Sequence, residues 1–116
     1  MARSPDPALD DILDSIANID RVLSGKTFHD FEGDWLLRRG VERGIEIISE
    51  ASRRIPAELR ALRPEIPWND IAAIGNILRH KYHSISMPVI WEVVQKDLPP
   101  LKAAVEVLAR QTGIER

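Results

Sequence analysis

The chain is predicted to be all-α, an antiparallel bundle of about four to five main helices. Three features of the sequence lead there. Between the proline and glycine positions the apolar residues recur at intervals of three and four, and nowhere in the sustained alternation a strand would need. The length, 116 residues, suits one domain spanning residues 1–116, large enough to bury roughly two-thirds of its unfolded surface. The connections between periodic stretches are short, which favours antiparallel neighbours.

The first helix is expected at about 6 to 24. Leu9, Ile12, Leu13, Ile16, Ile19 and Leu23 form its apolar stripe, Ser4 or Asp6 can cap it beside prolines suited to a first turn, and Ser24-Gly25 stops it. Thr27 can cap a second and longest helix, in which Phe28, Phe31, Trp35, Leu37, Val41, Ile45, Ile48 and Ile55 keep helical spacing as far as Pro56. Within it Gly33, Gly40 and Gly44 each cost about 1 kcal/mol against alanine, so a bend or a close approach by another backbone is expected. A short helical turn over 56–62 leads into Pro64-Glu65-Ile66-Pro67, too proline-dense to be helical. A helix then starts near Trp68 with Ile71, Ile74, Leu78, Tyr82 and Ile85 along one side. Another runs from about Ser86 to Asp97, where Leu98-Pro99-Pro100 should break or kink it, and a last one over about 100–112 ends at Gly113.

Composition narrows the function. With 44% hydrophobic and 29% charged residues the chain is ordinary globular material, which excludes a disordered or low-complexity protein. Cysteine is absent, so disulfides, zinc–thiolate sites, iron–sulfur clusters and thiol nucleophiles are excluded, and a cytoplasmic location fits. No apolar run resembles a membrane span or signal peptide. The formal charge of −2 argues against coating nucleic acid by bulk electrostatics. Its distribution is uneven: residues 1–20 carry one basic and five acidic groups, residues 35–63 seven arginines against four glutamates. A basic middle of this kind suits either a local phosphate-binding surface or a solvated, salt-bridged face.

The chemistry concentrates in Gly75-Asn76-Ile77-Leu78-Arg79-His80-Lys81-Tyr82-His83. On a helix Asn76, Arg79, His80 and His83 are three or four apart and share one polar patch. An arginine can clamp phosphate oxygens, a histidine can move a proton at neutral pH, and an amide can orient either one. Those parts suffice for metal-independent RNA cleavage, in which the ribose 2′-hydroxyl attacks the adjacent phosphorus and a cation stabilises the phosphorane. The same residues also suit a solvent-facing basic patch. No metal or cofactor is expected, because His80 and His83 have no third ligand nearby in sequence. Ser49, Ser52, Ser84 and Ser86 lie in no nucleophile-elbow sequence. Arg43, Glu46, Glu50 and Arg53 form a charged stripe that is either solvated or meets the polar patch, which makes Glu50, with His83, a candidate accessory group. Trp35, Trp68 and Trp91 fall on or beside apolar stripes and are expected in core or interface packing.

PEIPWNDIAAIGNILRHKYHSI, followed by VIWEVVQKDLPPLKAAV, resembles the HepT-like branch of the HEPN toxin family. The likeness extends to the acidic first helix, the run from Arg43 to Ala51, the Pro-Trp helix start and the Asp97-Leu98-Pro99 segment. It implies a HEPN-like helical homodimer that cleaves RNA as the toxin of a toxin–antitoxin pair, with active-site patches facing a shared cleft. It further implies a small nucleotidyltransferase antitoxin that silences the toxin by adding AMP to Tyr82. Asn76, His80 and Tyr82 match the family motif, but its arginine position is occupied here by Gly75. Arg79 lies one turn further on the same side of the helix and is the expected replacement cation, with His80 as acid or base. The glycine also leaves open a catalytically inactive relative that serves as a binding subunit.

Overall fold

In the computed structural model, which describes residues 6–81 and 87–114, every regular element is helical. Helix α1 (Pro7–Leu23) begins as the sequence suggests: Asp6 is the cap, its Oδ1 accepting from Ala8 N at 2.9 Å, with proline in the first turn. Leu9, Ile12, Ile16, Ile19 and Leu23 are all buried. The chain turns through Gly25, whose φ of +74° is a conformation that L side chains rarely adopt.

The expected long second helix is two helices. Thr27 and Asp30 form a reciprocal capping box that starts α2 (Phe28–Gly33). Asp34 then closes one helix and opens the next. Its extended backbone, φ −114° and ψ 102°, interrupts the helical path, its N–H donates to Phe31 O, and its Oδ1 accepts from Leu37 N at 3.0 Å. A side chain able to cap outweighs apolar periodicity that would run straight through. Trp35 is the casualty of that break. As the first residue of α3 (Trp35–Arg54) it is 59% exposed, so of the core and interface placements its spacing suggested it does not take the core, and Leu36 is 72% exposed. Trp68 is buried, whereas Trp91 is half-buried against Phe31 and Phe28 at 5.5 and 5.9 Å between ring centroids.

Helix α3 is the centre of the bundle, flanked by α1 and by α5. Arg54 bonds Asp11 at 2.8 Å, and a Cβ on Gly44 would lie 2.8 Å from Ile19 Cδ1, so α1 and α3 run antiparallel. Close approach thus explains Gly44, whereas at Gly40 a Cβ would meet nothing and the glycine has no packing role. After α4 (Ala57–Arg60) the chain reverses through the proline segment, fastened by Trp68 Nε1, which donates to the carbonyls of Arg60 and Arg63. Helix α5 (Trp68–Lys81) follows on the far side of α3.

The expected break at Leu98-Pro99-Pro100 is replaced by a wide turn. Helix α6 (Met87–Glu92) passes through π-helical Val93–Asp97 into α7 (Leu98–Ile114), with Leu98 N–H reaching back to Val93 O. Two prolines remove donors and crowd the carbonyls four residues earlier, and an extra residue in the turn accommodates them without ending the helix. Helix α7 packs on α1 through the buried Leu101, Val105 and Leu108, and α2 lies against α6. No helix among the described residues is long and apolar enough to cross a membrane.

Candidate functional site

The polar patch predicted from sequence lies on α5, the outer helix beyond α3. Trp68, Gly75 and Leu78 are buried, and Ile71 and Ile74 are half-buried, so this side of α5 faces α3. Asn69, Ala73, Asn76 and Ile77 are exposed on the other side. Along the helix, position 80 is four residues beyond Asn76 and position 79 four beyond Gly75, each one turn further on. The side chains of Arg79 and His80 lie outside the described part of the structure, as do Tyr82 and His83 altogether.

Gly75 sits at the closest approach of α3 and α5. Its N–H donates to Ser49 Oγ at 3.1 Å, and the same hydroxyl donates to Ala72 O at 2.8 Å. Ser49 is 1% exposed, and a Cβ at position 75 would lie 2.5 Å from both its Cβ and its Oγ. The next nearest atom, Glu46 Cα, would be an ordinary 3.5 Å away. Position 75 therefore has no room for any side chain, and the missing arginine is matched by a hydroxyl from the neighbouring helix. Sequence reading assigned Ser49 no role. Its partners, 23 and 26 residues distant, are set by helix packing, and no local motif announces them.

The contacts Arg53–Ala72, Ser49–Ala72 and Ser49–Gly75 descend α3 as they ascend α5, so these two helices are also antiparallel. The charged stripe of α3 therefore runs beside the polar edge of α5 and is not a wholly solvated face. Arg53 donates through Nη2 to Ala72 O, Glu46 is half-buried, and Glu50 and Arg43 are exposed. In this register Glu46 and Ser49 bracket position 75, and Glu50 stands near the level of Ala72 and Ala73, about one turn from Asn76.

A family model described as ribonuclease HepT-like matches residues 12–108. The chain belongs to the HepT-like ribonuclease family. It is 37% identical over 110 residues to "Probable ribonuclease HepT" of Thermococcus cleftensis, which covers 95% of this chain and all of the relative. It is 34% identical over 110 residues to "Putative RNase TTE0752" of Caldanaerobacter subterraneus, which covers 94% of this chain and 98% of that one. A Methanocaldococcus jannaschii protein named "Gamma-glutamylcyclotransferase and putative RNase MJ0434" shares 42% identity over 94 residues, 42% of its own length. No solved structure matches the chain significantly. The HepT-like match spans α1 to α7, so the α3–α5 edge is part of the shared fold and not an appendage to it.

Proposed function

We propose that this HepT-like chain is a metal-independent RNA endonuclease, the toxin of a toxin–antitoxin pair, acting through the edge of α5 that carries Asn76, Arg79 and His80. The observation that carries this reading is the family match over residues 12–108 combined with the exposure of Asn76 on the α5 surface, where substrate can reach it. His80 takes the proton from a ribose 2′-hydroxyl. The oxygen so freed attacks the adjacent phosphorus and expels the 5′-oxygen of the next nucleotide, which leaves with the proton that His80 gives back, and a 2′,3′-cyclic phosphate remains. Arg79 supplies the charge that stabilises the phosphorane, and Asn76 orients the scissile group. In this reading His83 and Glu50 are accessory groups.

A homodimer completes this site. Ala73 and Ile77, the latter 39% exposed, lie beside Asn76 on the outward side of α5, and a second copy laid over that side would bury them while excluding water from the cleft. Silencing follows from adenylylation of Tyr82 by a small nucleotidyltransferase, which places a phosphate and a nucleoside two residues from His80.

Incubation of purified protein with total RNA at neutral pH in EDTA is the test. Wild type cleaves, and His80→Ala and Arg79→Ala both lose cleavage. Retained cleavage in Arg79→Ala removes that arginine from its role, and equal cleavage by His80→Ala and wild type ends the nuclease reading. Gly75 favours a second reading, a catalytically inactive binding subunit for a nucleotidyltransferase. That reading predicts complex formation with the nucleotidyltransferase and no RNA cleavage by wild type.

A further inference from the structure

With position 75 closed to any side chain, the α5 edge depends on cations from elsewhere, and one is held in place by α3. Arg53 is exposed, and its Nη2 donates to Ala72 O, the carbonyl that also accepts from the buried Ser49 hydroxyl. This anchor uses one of the five N–H donors of the guanidinium, and the rest of the planar fork is available to a ligand. Ala72 and Asn76 are one turn apart on the same flank of α5. The charge of Arg53 is thus set at the edge of the proposed cleavage surface, about 12 Å along the helix axis from the level of His80.

We propose that Arg53 is a phosphate-binding residue for single-stranded RNA, holding a backbone phosphate about three stacked nucleotides, at roughly 3.4 Å each, from the scissile one. The inference rests on the RNA-cleaving reading of the α5 edge. Because Glu50 flanks Arg53 on the same stripe, local net charge is small, and the arginine acts by a directed hydrogen-bonded contact. A guanidinium tethered to backbone also loses less side-chain freedom on binding than a free one. Arg53 is not placed at the reacting atoms, so it contributes to substrate binding and leaves the chemical step alone.

The experiment measures binding of a labelled single-stranded RNA oligonucleotide to the full chain carrying His80→Ala, across a salt series, with and without Arg53→Gln. Glutamine removes the charge, and Ser49 still donates to Ala72 O, so the α3–α5 contact persists, as an unchanged Tm will show. Arg53→Gln is expected to weaken binding about fivefold at low salt and to reduce the slope of log K against log salt by about 0.7, one phosphate contact on a single strand. Arg53→Lys is expected to recover the slope. In a cleaving background Arg53→Gln raises KM and leaves kcat within twofold. Binding with unchanged affinity and slope overturns the assignment of Arg53 alone. Failure of the His80→Ala chain to bind RNA at all overturns the reading of the α5 edge, and the assignment with it.

Discussion

Ser49 Oγ accepts the N–H of Gly75 across the α3–α5 contact at 3.1 Å and fills the volume a side chain at 75 would need. The two residues behave as one packing unit, so their substitutions should not be additive. Alanine in place of a helical glycine ordinarily gains about 1 kcal/mol, but overpacking a closed contact costs about 1–3 kcal/mol. Gly75→Ala is therefore expected to destabilise the protein by about 1 kcal/mol or more. In a Ser49→Gly background, itself destabilised by the lost hydroxyl, Gly75→Ala should cost less than it does alone, a coupling of about 1 kcal/mol or more in urea unfolding. Strictly additive effects would show that the hydroxyl is not what closes position 75.

Returning the family's arginine to position 75 is expected to fail alone and to succeed in combination. Gly75→Arg must drive its Cβ into Ser49 and push α5 away from α3, so RNA cleavage should fall. In Ser49→Gly/Gly75→Arg the nearest remaining neighbour is Glu46 Cα at an ordinary distance, and cleavage should exceed wild type. Initial rates on one RNA substrate decide the matter, and a single variant more active than the double would refute the steric account.

Asp34 serves two helices with one residue, but only its cap on α3 uses the side chain. Asp34→Ala loses the bond to Leu37 N and is expected to cost about 1 kcal/mol, within the range for N-caps. Asp34→Asn, which can still accept, should retain most of the stability. Equal losses in thermal unfolding would mean that the acceptor at Leu37 N contributes little.

The capping box gives a stability dependence on acid. Asp30 accepts from Thr27 N at 3.0 Å, and the backbone and hydroxyl donors of Thr27 hold its carboxyl below the ordinary 3.8. A carboxylate with a depressed folded value contributes stability that is complete above 3.8 and disappears as pH falls through the lower folded value. NMR titration of the Asp30 carboxyl should show a midpoint below 3.8 in wild type and a rise toward 3.8 in Thr27→Ala. An identical midpoint in both proteins would exclude the Thr27 hydroxyl as a contributor and leave the backbone N–H as the cause.

Most helix boundaries were legible because they depend on residues within one turn. Asp6 beside Pro7, Thr27 three before Asp30, and Gly25 after Ser24 each act locally, and their signals survive in the linear chain. The misreadings arose where two local rules competed. At Asp34 the apolar period of Phe31 and Trp35 argued for continuity, while a capping carboxylate argued for a break, and the cap prevailed. At Pro99 and Pro100 the lost donors argued for a break, and a π turn absorbed them. In the candidate site the sequence grouped Asn76, Arg79 and His80, since helical spacing is a local property.

By itself the sequence determined the helical class, the family resemblance and the candidate turn of α5, because periodicity, capping and motif residues act over a few positions. Only the tertiary structure decided why glycine occupies position 75, that Ser49 excludes a side chain there, and that Arg53 is tied to Ala72, one turn from Asn76. Those relationships join residues some twenty or more positions apart through the antiparallel packing of α3 on α5, which fixes a register between helices that no short-range pattern encodes.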